Sequence, residues 1–314
     1  MKKIMNTFLI IGLIVTIFIL TSCENSKLGI NIYEENGKQY IVYGKYPQSL
    51  VTDKELIEKL SNITEENSQG YIEYNNVEYK KIKATPHVTT KCFKNGEPIV
   101  SGETYFFKVE PIKWRVLETL GGSYKVISEV LLDVIDFYTP LENEQYRKID
   151  DKLIMASYYE YSNIRAWLNG YNGEEYNVKN YINIGFLDLA FSKQEESQLR
   201  EMEFNYKIYG KEDNVTNDKV AIPSTDDMIN TNYGFINEFK APDLMRVIEP
   251  TDYSICRGAA ILKSANGFSA TYWLNSFTRS SGTYAYLVSN DGMIPFARTQ
   301  YEYVGVRPLI QIEF

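Results

Sequence analysis

The chain has 314 residues, enough for one large domain or two small ones, and its 33 basic and 41 acidic residues give a net charge of −8. That acidity argues against nucleic acid as a partner and against a polybasic grip on anionic lipid. One histidine and three cysteines cannot supply a histidine cluster for a metal, and they leave most Ser-His and Cys-His nucleophile schemes without a base.

The first residues read as a secretory leader: Lys2 and Lys3, an apolar run from Phe8 to Leu20, then Leu20-Thr21-Ser22-Cys23. As a membrane span, residues 4–21 barely reach the roughly 20 residues a bilayer requires, and Asn6 and Thr7 interrupt the start. The Leu, small residue, Ser, Cys ending resembles the lipobox of bacterial lipoproteins. That resemblance implies cleavage after Ser22 and a diacylglycerol, with chains such as palmitate, on Cys23. Two or more acyl chains, at about 0.8 kcal/mol per buried methylene, make a durable anchor. The expected location is the cell envelope, outside the cytoplasm, with the membrane engaged through the lipid alone.

Residues 23–38 are polar, with little periodicity, and read as a tether. From Gln39 to Phe314 there is no repeat, low-complexity stretch or linker, so 39–314 is expected to be one domain. Residues 39–43 predict a short strand. Residues 52–62 predict a helix capped by Thr52, with Glu55 completing a capping box and Leu56, Ile57 and Leu60 on one face. Residues 71–83 alternate loosely. Strands are expected over 104–109 and 112–117, with Gly121-Gly122 turning a tight hairpin into 124–127. Ser162 is placed to cap a helix carrying Ile164, Trp167, Leu168 and Tyr171 at i, i+3, i+4 and i+7, with Gly170 as its stop. Ser192 with Glu195 forms a second capping box ahead of Leu199 and Met202, and Ser224 opens another short helix. Strands return over 272–276, 283–289, 293–297 and 304–312, with Asn290-Asp291-Gly292 as a turn between two of them.

Five segments in order carry a family resemblance: Val109-Glu110-Pro111-Ile112-Lys113-Trp114-Arg115-Val116-Leu117-Glu118, Tyr161-Ser162-Asn163-Ile164-Arg165-Ala166-Trp167-Leu168-Asn169, Ala190-Phe191-Ser192 with Glu195, Tyr272-Trp273-Leu274-Asn275-Ser276, and Gly305-Val306-Arg307-Pro308-Leu309. Together they resemble an uncharacterised bacterial domain-of-unknown-function family grouped with the C-type-lectin-like and sulfatase-modifying-factor folds. The resemblance implies an α+β, C-type-lectin-like domain: antiparallel sheets, a few flanking helices and long loops that carry function. It brings no activity with it, and a fold alone does not settle one.

The enzymatic relatives of that fold provide a test. Formylglycine-generating enzymes use two closely placed cysteines near the C-terminus, whereas here Cys256 stands far from Cys92. Iron-dependent relatives need several histidines, and His87 is alone. Outside the cytoplasm a Cys92–Cys256 disulfide is permitted, but two separate buried thiols are the simpler reading. Lectins of this fold bind calcium through a Glu-Pro-Asn-type loop and an Asn-Asp pair. Glu249-Pro250-Thr251 and Asn290-Asp291 offer too few oxygens for the six to eight calcium takes, so no metal or other cofactor is expected. Asp226-Asp227 and Glu249 with Asp252 are acids a carboxylate-only hydrolase could use. Trp114, Trp167 and Trp273 read as core, and Arg307 as a structural hydrogen-bonding residue. No catalytic residue is assigned. The expected function is non-catalytic binding of a glycan, peptide or protein through the C-terminal loops, with Asn275, Arg279, Tyr284 and Asn290 as contacts. The alternative is an envelope hydrolase or modifying enzyme.

Overall fold

The computed structural model describes residues 32–139, 146–149, 152–206, 214–265, 267–277 and 282–313. The leader, Cys23 and Arg279 lie outside them. Among the described residues, no helix is long and apolar enough to cross a membrane.

The architecture is mixed, with mostly antiparallel sheets and short helices. Three hairpins build most of the larger, nine-stranded sheet: β1 (Ile32–Glu35) with β2 (Lys38–Leu50), β3 (Ile72–Tyr74) with β4 (Val77–Lys83), and β5 (Thr104–Leu120) with β6 (Ser123–Ser128). β5 is the spine, pairing with β2 along one edge and with β4, then β6, along the other. Two strands were expected where β5 runs unbroken. Pro111 sits in the gap between β4 and β6 and opposite a bulge in β2, positions where a missing N–H is tolerated. Gly121 and Gly122 make the expected turn, at φ 53° and 101°. The Leu309–Glu313 strand closes on β6, so the end of the chain pairs with its middle.

Residues 32–38, read as the end of a tether, are instead β1 and the turn into β2. Cross-strand packing holds them: the Tyr33 and Tyr40 rings lie 5.7 Å apart, and the Lys113 ammonium sits 4.1 Å from the Tyr40 centroid.

A second sheet of five strands takes in Tyr272–Phe277, Tyr284–Val288, Phe296–Arg298, Gly305–Val306 and Asp133–Val134. Side chains of both sheets divide between two cores. Along β5, Trp114 enters the larger core and Leu117 the second; Trp273 and its neighbours Tyr272 and Leu274 divide the same way. The Trp114 and Trp273 side chains are fully buried, and their N–H groups donate to the Tyr43 and Ile135 carbonyls at 2.7 and 3.1 Å. Each indole removes on the order of 200 Å² from water, about 5 kcal/mol of transfer free energy.

The helices follow their caps. Ser162 accepts from the Arg165 N–H at 3.1 Å and starts Asn163–Asn169. The helix stops at Gly170, so Tyr171 falls outside it and lies on Arg165. Asp53, one residue after the expected Thr52, caps Lys54–Ser61. The Ser192–Glu195 box forms, but its helix spans only Lys193–Glu196, and Leu199 already pairs with the C-terminal strand. One helix the sequence did not suggest, Asp252–Arg257, is capped by Thr251 and buries Cys256. Cys92 and Cys256 are free thiols.

Candidate functional site

An open cleft of about 440 Å³ lies where β2, β4, the 133–136 segment, the Asn163–Asn169 helix, residues 179–189, the Asp252–Arg257 helix and Glu302 converge. Its volume falls within the few-hundred Å³ typical of small-ligand sites. The floor is a closed polar network. Asp133 is 2% exposed, and its carboxylate accepts from the Tyr46 hydroxyl at 2.6 Å, from Arg257 Nε at 3.1 Å and from the Val134 N–H at 2.7 Å. Tyr46 is wedged between Phe186 and Tyr253, with ring centroids 5.2 and 5.7 Å away. Burial first, then the neighbouring Asp133 charge, raises the Tyr46 hydroxyl well above its ordinary range; burial does the same for Tyr253. Tyr46 is therefore a protonated donor to Asp133.

The wall is built differently. Asp136 Oδ1 accepts from Asn163 Nδ2 at 2.8 Å, and Asn163 Oδ1 in turn accepts from the Tyr181 hydroxyl at 2.9 Å. Asp136 Oδ2 is shielded from solvent and has no well-aligned hydrogen bond, although the Thr139 side chain and the Asp136 N–H act on the carboxylate beside Asn163. Burial pushes the Asp136 carboxyl above the usual aspartate range. Trp167 and Tyr181 back the wall, while Lys80, Lys179 and Glu302 contribute charge of both signs. Lys80 donates to the Gly70 carbonyl, and burial lowers its pKa. The cleft therefore offers fixed hydroxyls, one ion pair already satisfied, and one buried carboxylate oxygen without a well-aligned donor.

The loop residues expected to bind are placed differently. Asn275 is buried; its amide donates to the Ile222 carbonyl at 3.0 Å, and its backbone N–H to that of Pro223. Tyr284 packs edge-on to Phe296 and borders a small pocket of about 160 Å³ with Tyr138, Arg298 and Gln300. Asn290 lies in the turn closed by the Ser289–Met293 backbone bond, with its Oδ1 buried and unbonded. None of the three borders the larger cleft.

Three of the four acids considered for catalysis hold structural partners, and the fourth, Asp226, is exposed on its helix. Asp227 caps its helix and pairs with Lys125; Asp252 accepts the Leu50 and Lys94 N–H groups; Glu249 pairs with Lys94. Among the described residues, no group of three or more His, Cys, Asp or Glu is placed to hold a metal. His87 packs on Tyr303 at 4.7 Å and contacts the Thr89 hydroxyl. Arg307 donates to the Ser128 carbonyl and the Tyr272 hydroxyl, the structural role expected of it.

The sequence reading missed Asp133, Asp136 and Arg257. A signal was present: Leu131-Leu132-Asp133-Val134-Ile135-Asp136-Phe137 sets two acids into an apolar run, which marks acids carried inside with partners.

Residues 122–314 match a family described as a domain of unknown function, DUF6273. No curated protein and no solved structure matches the chain.

Proposed function

The chain belongs to the DUF6273 family, whose description carries no activity, and from its cleft we propose a non-catalytic glycan-binding domain displayed on the cell envelope by a lipid on Cys23. In this reading residues 39–314 form one domain of C-type-lectin-like type. Support for that comes from the mixed, mostly antiparallel sheets and from the pairing of the C-terminal strand with β6.

The observation that carries the glycan reading is the contrast within the cleft: a satisfied Asp133–Arg257–Tyr46 network beside Asp136 Oδ2, which has no well-aligned donor. A sugar hydroxyl that displaces the groups shielding this oxygen supplies a well-aligned donor, and rings with fixed hydroxyls suit a neutral polyhydroxylated ligand. Glycan arrays probed with the purified chain and with Asp136→Leu test the proposal. Binding to a defined glycan weakened at least tenfold in the variant, with an unchanged circular dichroism spectrum, is expected. Equal binding by both proteins, or binding to peptides alone, would refute it. Intact-mass analysis of the native protein tests the anchor, with a diacylated Cys23 as the expected N-terminus.

One observation favours a second reading, a carboxylate hydrolase of the envelope. A buried carboxyl with a raised pKa is what a general acid requires, and Asp133 borders the same cleft. The same arrays, assayed for new reducing ends, decide between the two. Turnover lost in Asp136→Asn while binding persists would make the chain an enzyme.

A further inference from the structure

A second cleft, of about 480 Å³, opens on the other side of β5. Trp114 points to the larger core; the next residue, Arg115, borders this cleft together with Lys38, Glu118, Asn232 and Tyr233. Arg115 is 3% exposed, and both Nε and Nη2 are shielded and donate no hydrogen bond. Those two nitrogens form the side edge of the guanidinium, the fork that takes a carboxylate or phosphate with two parallel bonds.

Charge accounting leaves the same residue over. Among the described residues three arginines are buried: Arg115, Arg246 and Arg307. Arg246 donates to the carbonyls of Met228, Gly292, Ile236 and Glu238 and pairs with Asp243 at 3.4 Å. Arg307 has the Ser128 carbonyl and the Tyr272 hydroxyl, with Glu129 at 3.9 Å. Glu129 also accepts from the Tyr40 hydroxyl, so one carboxylate faces two guanidinium groups. Among the described residues, no carboxylate reaches Arg115 at ion-pair distance. The Phe235 ring lies 4.8 Å from the guanidinium carbon. Burial, then repulsion from Arg307, lowers its pKa. An unpaired buried cation is costly. Glu118 is already occupied by the Tyr233 hydroxyl at 2.7 Å.

We propose that this cleft seats an oxyanion, a carboxylate or phosphate group, held bidentately on the Nε–Nη2 edge of Arg115 with Lys38 as the second cation. Because the fork is shielded, the anion enters by displacing residues 232–235. This site is separate from the glycan cleft and shares no lining residue with it.

The test is thermal unfolding of the full chain in detergent, titrated with acetate or with inorganic phosphate at ionic strength held constant with sodium chloride. At least one of the two anions is expected to raise the Tm saturably. A rise with acetate alone identifies a carboxylate seat, and with phosphate alone a phosphate seat. Arg115→Met should lose the rise and, without anion, melt above the wild type because a buried guanidinium whose Nε and Nη2 have no acceptor is gone. Arg115→Lys keeps the charge but not the fork, and should need at least tenfold more anion; it decides the matter should the Met variant fail to fold. Asp136→Asn should respond like the wild type, which keeps this result independent of the glycan reading. No rise with either anion, or wild-type titrations in both Arg115 variants, overturns the proposal.

Discussion

Arg257→Met should destabilise the protein more than Asp133→Asn, although the two residues form one ion pair. The asymmetry follows from exposure. The Arg257 side chain is 37% exposed and the Asp133 side chain 3%. Removing the arginine leaves a carboxylate in the interior with two donors, the Tyr46 hydroxyl and the Val134 N–H. Stranding a buried charge costs roughly 3–5 kcal/mol; those two remaining donors bring the expected loss to about 2–3 kcal/mol. Removing the acid charge instead leaves a guanidinium that water in the cleft can reach. The asparagine oxygen still accepts one hydrogen bond, and the expected loss is about 1 kcal/mol. Urea unfolding by tryptophan fluorescence measures both. With an m-value of about 3 kcal/mol/M, the arginine variant's midpoint falls by nearly 1 M and the aspartate variant's by about a third of that. A double-mutant cycle should return a coupling of at least about 1 kcal/mol. Equal losses, or a larger loss for Asp133→Asn, would refute the argument from exposure.

Burial holds the folded-state pKa of Asp136 above its unfolded value. The stability this group contributes is therefore present below the ordinary aspartate range and is lost as pH rises through the folded pKa. Asp136→Asn should then be more stable than the wild type near neutral pH, with the gap closing toward pH 4 in paired urea melts. At Gly292, φ is 84° and an added Cβ would lie 2.0 Å from the Asp243 carbonyl oxygen. Gly292→Ala should cost about 3 kcal/mol or more in a thermal melt, because the backbone has to move to admit it. Burial pushes the Cys256 thiol up to about 12. At pH 8 it should resist maleimide in the native protein and react at the unfolding rate in denaturant, as read by intact mass.

Local signals were legible wherever a single residue type decides geometry. The glycine pair at 121–122 turned its hairpin, Ser162 capped its helix, and the apolar strands around Trp114 and Trp273 formed the cores. What the sequence concealed depends on partners distant along the chain. Pro111 sits within a strand because β4 ends and β6 begins on either side of it. Residues 32–38 lacked periodicity yet pair, because Tyr33 and Lys113 meet on Tyr40. Thr251 caps Asp252–Arg257, whereas the segment Glu249-Pro250-Thr251 by itself reads as well as part of a metal loop. The candidate cleft was hidden for the same reason. Asp133 and Arg257 stand 124 positions apart, and nothing near either one names the other.

The way β5 bridges the sheet bears on how this family is delimited. The matched region opens at residue 122, the second glycine of the β5–β6 hairpin. A recombinant fragment starting there would lack β5, leaving one side of β6 with bare amides and carbonyls from Ser123 to Ser128. Such an unpaired rim invites copies of the fragment to stick to one another. The homology boundary and the folding boundary are therefore different lines, and expression of this region should begin ahead of β1.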